Sequence, residues 1–177
     1  MKKSIVFVVS VLSLFGGTVL FADGLSVFAS WWSPEEGDAS YGAGVQARTS
    51  SDLLYVEARG TYYEDITQDF TLIDYELSVI PLDVGLGLKL DLSEVSELYA
   101  GLGGTYFVMD ANTGDSDDRI GYYLKAGCEV ELNETVGVSF EALWRDAEAR
   151  VTEDGDLEEN RFQLDGVALS IGLVFLW

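Results

Sequence analysis

The sequence contains no histidine and only one cysteine, Cys128, among its 177 residues. Without histidine the chain lacks Ser-His-acid and Cys-His catalytic pairs, and it lacks imidazole ligands for zinc. A single cysteine also excludes an intramolecular disulfide. Paired carboxylates at Glu129, Glu131 and Glu141 would be the remaining acid–base chemistry. Because structural ion-pair networks use the same groups, we expect no catalytic residue, no metal site and no cofactor, and an enzyme is the least favoured class.

Basic residues are scarce as well. Ten Lys and Arg stand against 31 Asp and Glu, which gives a formal net charge of −21. A chain with this charge repels nucleic acid, and no basic patch offsets the repulsion. The acidity does not indicate disorder, because 12% of the residues are aromatic and 48% are hydrophobic.

The first 22 residues have the layout of a secretory signal peptide. A short basic start precedes a largely apolar run over residues 5–15, two glycines follow, and Ala22 precedes Asp23. The run is too short for a membrane-spanning helix of about 20 residues. No later segment approaches that length, so a mature chain of residues 23–177 would cross a membrane only as a closed β-barrel.

Alternation of apolar and polar residues predicts eight strands. They lie near residues 24–33, 39–49, 53–64, 72–90, 97–109, 119–132, 136–147 and 161–177. Short turns follow the second, fourth and sixth strands, and mostly longer, acidic loops follow the first, third, fifth and seventh. An even strand number with this alternation is typical of outer-membrane barrels. We therefore predict an all-β fold, an eight-stranded antiparallel up-and-down transmembrane barrel.

The two faces of the predicted strands differ in chemistry. Parity alone does not separate a lipid-facing barrel from a soluble, lipocalin-like one, but the signal peptide and the apolar last strand favour lipid outside. Eight strands enclose a lumen that side chains fill, and buried charges must be paired. We interpret the inward ionic residues as an ion-pair plug, with a narrow gated ion path as the alternative. These residues are Arg48, Glu57, Arg59, Lys89, Lys125, Glu129, Glu141 and Arg145.

The outward face carries aromatic residues at the loop ends of its strands, where an interfacial girdle is expected. The girdle residues are Trp31, Tyr41, Tyr62, Tyr106, Tyr122 and Trp144. Cys128 shares this outward parity, so we interpret it as a small hydrophobic residue.

The fourth strand changes its pattern along its length. Its lower part, from Ile80 to Leu90, has an apolar outward face, whereas apolar residues from Ile73 to Val79 occupy the other parity. Either the register shifts at a bulge near Pro81, or the upper part projects beyond the bilayer. Both alternatives remain open from the sequence.

Acidic residues cluster in two predicted loops, at 110–118 and 153–159. An EF-hand calcium loop would need Asp or Asn where Gly114 stands. Solvated surface acid is therefore the favoured interpretation, and divalent cations are a partner class that these loops leave open.

The chain resembles the small eight-stranded outer-membrane barrels of the OmpA, OmpX and Opa type. The resemblance depends on the alternating strand 169–177, on Gly85-Leu86-Gly87 and on the glycine-rich run 99–104. It departs from the family at Trp177, where the family most often has Phe. The resemblance implies a monomer in the bacterial outer membrane, surrounded by outer-membrane lipid and lipopolysaccharide. It also implies that the outer-membrane assembly machinery recognises the last strand, through Leu169, Ile171, Leu173, Phe175 and Trp177.

The function favoured at this point is a structural or surface-interaction role, adhesin-like, with a plugged lumen. The main alternative is a narrow pore or an OmpW-like transporter of small hydrophobic solutes. An apolar lumen would support the transporter, and the ionic inward face argues against it.

Overall fold

The computed structural model describes residues 22–35, 38–70, 73–111, 115–116, 119–146, 148–152, 159–163 and 165–177. Side chains are described for 22–35, 38–64, 78–109, 119–146 and 165–177. The predicted signal peptide, except Ala22, lies outside these residues. So do the acidic side chains at 110–118 and 153–159, and the cation interpretation of those loops stays a prediction.

Eleven strands make up the described part of the chain, and eight of them close a barrel. The strands are β1 (Gly24–Pro34), β2 (Ser40–Ser50), β3 (Leu54–Phe70), β4 (Ile73–Ser93), β5 (Ser96–Ala111), β6 (Asp115–Ser116), β7 (Arg119–Asn133), β8 (Val136–Asp146), β9 (Glu148–Thr152), β10 (Glu159–Gln163) and β11 (Gly166–Leu176). The barrel order is β1-β11-β8-β7-β5-β4-β3-β2, and β10, β9 and β6 form a separate small sheet. The predicted eight-stranded antiparallel barrel is confirmed.

The first and last barrel strands close the sheet on themselves. β1 and β11 pair in continuous antiparallel register, from Gly24 with Leu176 to Pro34 with Gly166. Each of the eight strands therefore has two hydrogen-bonded neighbours, and the barrel exposes no open sheet edge. Within the described residues, no helix combines the length and apolar character needed to span a membrane.

The outer wall is apolar and the interior is polar. On β4, alternate residues from Ile80 to Leu92 face outward, and Val84 is 63% exposed. That stretch covers about twelve residue steps of about 3.3 Å, tilted by about 40°, so the apolar belt is roughly 30 Å tall. The opposite face carries fully buried charges such as Arg59 and Arg145. This distribution is the reverse of a soluble barrel, and the lipocalin-like alternative is wrong.

The irregularity near Pro81 lies in the partner strand. β4 pairs with β5 in unbroken register from Leu77 to Asp91, so β4 itself has no bulge near Pro81. The register shifts instead on β3, between Tyr63 and Ile66, where β3 has one residue more than β4. The pairing of β3 with β4 is also interrupted between residues 61–62 on β3 and 80–81 on β4. Pro81 lies in this gap and has no N–H group to donate. Val79 keeps the inward parity and is fully buried.

Three short strands, β6, β9 and β10, depart from the prediction. The predicted loop at 64–71 is also wrong, because β3 continues to Phe70. The last predicted strand, 161–177, is divided between β10 and β11. β9 pairs with β10 and also with β6, so segments predicted as loops form a three-stranded sheet beyond the barrel. The predicted short turns are present at 51–53, 94–95 and 134–135. In the last of them the Asn133 side chain accepts hydrogen bonds from the backbone N–H groups of Thr135 and Val136, at 2.9 and 3.0 Å.

Candidate functional site

The centre of the lumen is a cluster of four buried charges from three strands. β3 supplies Glu57 and Arg59, β7 supplies Lys125, and β8 supplies Glu141. Lys125 Nζ lies 2.7 Å from Glu141 Oε2 and also pairs with Glu57, while Arg59 pairs with the other oxygen of Glu141. The formal charges cancel within the cluster, as buried ions require.

Neutral side chains donate further hydrogen bonds to the two carboxylates, Glu57 and Glu141. Glu57 accepts hydrogen bonds from Gln46 Nε2 at 3.0 Å and from the Tyr123 hydroxyl at 2.7 Å. Glu141 accepts one from the Tyr99 hydroxyl at 3.3 Å. Glu57 on β3 therefore contacts side chains of β7, and Glu141 on β8 contacts Arg59 of β3. These contacts connect strands on different sides of the barrel through its lumen.

A second ion pair lies nearer the outer end. Arg145 Nη2 donates to Asp83 Oδ2 at 2.6 Å, and Thr105 Oγ1 donates to Asp83 Oδ1 at 2.7 Å. Both charged side chains are fully buried. Asp83 was not among the predicted lumen residues. Its alternation with the outward Leu82 and Val84 on β4 would have predicted an inward side chain.

A third group closes the end at the short turns. Arg48 contacts Glu97 at 3.0 Å and also pairs with Glu129, and Lys89 lies 3.5 Å from Glu97. The Arg48 guanidinium also sits 5.1 Å from the centre of the Tyr99 ring, within cation–π range. A polar cavity of about 260 Å³ opens beside these groups. Glu97, like Asp83, is a charged lumen residue that the sequence analysis missed.

All eight predicted lumen residues therefore take part in the three groups. The structure arranges them in three separate ionic groups, to which Asp83 and Glu97 are added. Tyr55 and Tyr99 pack edge to face in the same space, with ring centres 6.0 Å apart. Large side chains and paired charges together fill this part of the lumen.

The outer end of the lumen is rich in buried aromatic residues, which the sequence analysis did not anticipate. Trp32, Tyr63, Val79 and Phe107 are each 0% exposed. The Trp32 ring lies 5.0 Å from that of Tyr63 and 6.5 Å from that of Phe107, measured between centres. The inward face is thus ionic in its lower and middle parts and aromatic above them.

The six predicted girdle residues all lie on the outward face. Their exposure runs from 36% for Trp31 and Trp144 to 79% for Tyr41. Trp31 and Tyr41 are cross-strand partners, and Tyr122 meets Trp144 edge to face at 5.7 Å. Their location at a lipid–water interface stays a prediction. Cys128 is a free thiol on the same outward parity.

The residues of the predicted assembly signal are also outward and exposed. Leu169, Ile171, Leu173, Phe175 and Trp177 alternate with inward positions along and just beyond β11. Recognition by the assembly machinery is a separate matter and stays a prediction. Among the side chains that the structure describes, no group of three or more His, Cys, Asp or Glu could hold a metal ion.

Comparison with known proteins agrees with this geometry. Residues 16–173 match the family model "Outer membrane protein beta-barrel domain", and the chain belongs to that family. It is accordingly a protein of the bacterial outer membrane. No significant match was found among curated protein sequences.

Solved outer-membrane barrels share the fold at low sequence identity. The outer membrane protein OprG from Pseudomonas aeruginosa is 15% identical, with a TM-score of 0.67 over 88% of this chain and 96% of OprG. Neisserial surface protein A is 12% identical, with a TM-score of 0.63 over 87% and 95%. Ail, the attachment invasion locus protein of Yersinia pestis, is 11% identical, with a TM-score of 0.54 over 87% and 95%.

Proposed function

We propose that this barrel has a structural or surface-interaction role, adhesin-like, and that its lumen is not a passage. The observation that carries the proposal is the ionic network across the lumen. The Lys125 ammonium group forms ion pairs with both Glu57 on β3 and Glu141 on β8, and the residue is only 5% exposed. An open path would require these charges to separate in a space of low dielectric, which costs several kcal/mol.

The tyrosine rings supply a second barrier to flow. Tyr55 and Tyr99 are almost fully buried and lie between the central and lower ionic groups, because each ring is near both Arg48 and Lys125. Tyr123 is equally buried and donates to Glu57 of the central group. A lumen of eight strands is about as wide as the side chains that fill it. With transport disfavoured, the outer loops and the lipid-facing wall are the surfaces left to act.

Two of the structural relatives have names that fit a surface role. One is a neisserial surface protein, and another is an attachment invasion locus protein that was also solved with a heparin analogue. At 10–12% identity these likenesses support the fold only, so they motivate the assay and do not identify the ligand. We expect outer-membrane lipid and lipopolysaccharide to surround a monomeric barrel.

The test combines permeability with adhesion. Proteoliposomes that contain the refolded protein should swell in small sugars no faster than empty liposomes. Cells that display the protein should be retained on a glycan-coated or abiotic surface better than cells displaying a variant without residues 153–159. Swelling at porin-like rates, or equal retention of both cell types, would count against the proposal.

A second candidate, transport of small hydrophobic solutes, is favoured by one observation. The outer lumen is lined by Trp32, Phe107 and Val79, and it lies beside the interrupted β3–β4 pairing at Pro81. The apolar rings could hold part of an apolar solute, although Arg119, the cross-strand partner of Phe107, and the buried Arg145 border the same space. Uptake of a radiolabelled alkane by cells carrying wild type or Phe107→Glu distinguishes the candidates: a loss of uptake in the variant supports transport, and equal uptake argues against it.

A further inference from the structure

β3 continues beyond the closed part of the barrel. Its pairing with β2 ends at Tyr63, whereas its pairing with β4 continues to Phe70. The Ser40 hydroxyl at the start of β2 donates to the Glu64 carbonyl at 2.6 Å. Beyond this point, in the part of the chain that the structure describes, residues 66–70 pair with β4 alone. The upper part of β3 is therefore an edge strand at the loop end of the barrel.

This edge is suited to accept another strand. Along an edge strand, alternate residues turn their N–H and C=O groups away from the sheet, and an extended peptide can pair with them. Residues 66–70 contain neither proline nor glycine, and at about 3.3 Å per residue they extend for roughly 16 Å. The neighbouring β4 has a shorter free edge, 73–76, because its pairing with β5 begins at Leu77.

The projecting parts of β3 and β4 are strongly acidic. Residues 60–88 contain no Lys or Arg. The acids of the projecting strands are Glu64, Asp65, Asp69, Asp74 and Glu76. Asp69 and Asp74 are direct cross-strand partners, and like charges at opposite positions of a strand pair destabilise it. A cationic side chain on an added strand would reduce this repulsion.

A second edge strand beyond the barrel has a different charge. β10 is an end strand of the small sheet, and residues 159–163 carry one acid, Glu159, and one base, Arg161. Arg161 is also the direct cross-strand partner of Arg150 on β9. A cationic strand is therefore favoured at β3 and not at β10.

A second copy of the chain is a poor occupant of the β3 edge, residues 66–70, because pairing two such edges would bring two sets of the same acids together. We propose that the β3 edge binds an extended, Lys- or Arg-rich segment of another polypeptide, which adds to β3 as a further strand. Main-chain hydrogen bonds would supply the affinity, and the acids would select the sign of the charge. This proposal rests on the proposed surface-interaction role and gives that role a site and a class of partner.

Hydrogen exchange of the unaltered protein in phosphatidylcholine nanodiscs tests the site directly. The probe is a synthetic octapeptide of alternating lysine and threonine. It should slow amide exchange in fragments that cover 66–70 and leave fragments that cover 159–163 unchanged. Exchange that is unchanged at 66–70, or slowed equally at both edges, would overturn the proposal.

Two matched peptides separate strand addition from simple attraction between opposite charges. A peptide of the same sequence with every inner backbone nitrogen methylated keeps its charge but cannot donate main-chain hydrogen bonds, so it should bind at least about tenfold more weakly. A peptide of alternating glutamate and threonine should not bind. Equal affinity of the lysine peptide and its methylated form would mean attraction by charge alone and would contradict strand addition.

A pair of variants tests the role of the acids. Asp69→Asn combined with Asp74→Asn should weaken binding of the lysine peptide about tenfold at low ionic strength, because the paired acids are removed. Asp91→Asn combined with Glu94→Gln is the matched control, since it removes the same charge at the short-turn end of the barrel, where both residues are exposed. It should bind like the wild type. Equal weakening by the two variants would show that net charge, and not the β3 edge, attracts the peptide.

The site and the proposed role can fail separately. If cells displaying the protein are not retained on a surface while the peptide still protects 66–70, the role fails and the site stands. If cells are retained and 66–70 is not protected, the site fails and the role stands. Dimers that form through 66–70 without peptide would assign the edge to a second copy and would also overturn the proposal.

Discussion

The side chain of Tyr123 occupies the space inside the barrel that the missing side chain of Gly85 leaves free. A Cβ atom at Gly85 would lie 2.1 Å from the Tyr123 hydroxyl, which donates to Glu57 at 2.7 Å. Glycine at this inward position therefore leaves the space that the tyrosine needs to reach its carboxylate. Gly85 thus supports the ionic network by leaving room for Tyr123, although glycine itself forms no ion pair.

Gly85→Ala should destabilise the barrel by about 1–3 kcal/mol, because the added methyl overpacks the lumen. Urea unfolding in detergent would measure the change. Gly104→Ala is the control, since a Cβ there would come no closer than 3.9 Å to its nearest neighbour, the Gly121 carbonyl oxygen, and it should cost less than about 0.5 kcal/mol. Equal effects of the two glycine substitutions would contradict this account.

Arg59→Ala should lower the free energy of unfolding by about 3–5 kcal/mol. The substitution removes one of the two cations that pair with Glu141 and leaves a buried carboxylate short of a partner. The same unfolding assay would report it. Glu134→Ala, at an exposed turn position, is the control and should change stability by less than about 0.5 kcal/mol. A loss below about 1 kcal/mol for Arg59→Ala would mean that the network contributes little.

The Asp83–Arg145 pair allows a sharper test of buried charge. Asp83→Leu should destabilise strongly, by about 3–5 kcal/mol, because it leaves a fully buried guanidinium without its carboxylate. The double variant Asp83→Leu with Arg145→Met should recover most of that loss, since both charges are removed together. A double-mutant cycle gives the coupling energy. Strictly additive losses would show that the two residues act independently.

Deleting residues 175–177 should lower the amount of protein in the outer membrane far more than deleting residues 153–159. Phe175 pairs with both Leu25 and Val136, and Leu176 pairs with Gly24, so the first deletion removes contacts that close the barrel. The second removes Glu159, the first residue of β10, and the acidic segment before it in the sequence, and β10 belongs to the small sheet and not to the barrel. Membrane fractionation with heat-shift electrophoresis compares the two. Equal assembly would mean that neither Phe175 nor Trp177 is an assembly signal.

The barrel and the orientation of its side chains could be predicted from local sequence, because period-two alternation depends only on neighbouring residues. Arg59 and Lys125 could be assigned to the lumen on that basis alone. Their partners could not, because Glu141 meets Arg59 across the lumen from a strand 82 positions away in sequence. The register and tilt of all eight strands decide which inward residues face each other.

Other features escaped prediction for related reasons. Asp83 and Glu97 have the inward parity, so alternation would have placed them in the lumen. They lie on β4 and β5, whose many glycine and leucine residues mainly indicate the lipid-facing side. The aromatic outer lumen around Trp32 and Phe107 could not be predicted, because its rings come together from different strands through the barrel register. The small β6–β9–β10 sheet has strands of only two to five residues, too short for a clear period.

Planar-bilayer recording of the purified wild-type protein tests the central claim most directly. If the paired charges around Lys125 and the buried rings of Tyr55 and Tyr99 block the lumen as proposed, the membrane should stay at its baseline, with no large and steady conductance. Stable channels of nanosiemens conductance, seen in the unaltered protein, would contradict the plugged barrel and make passage through the lumen its function.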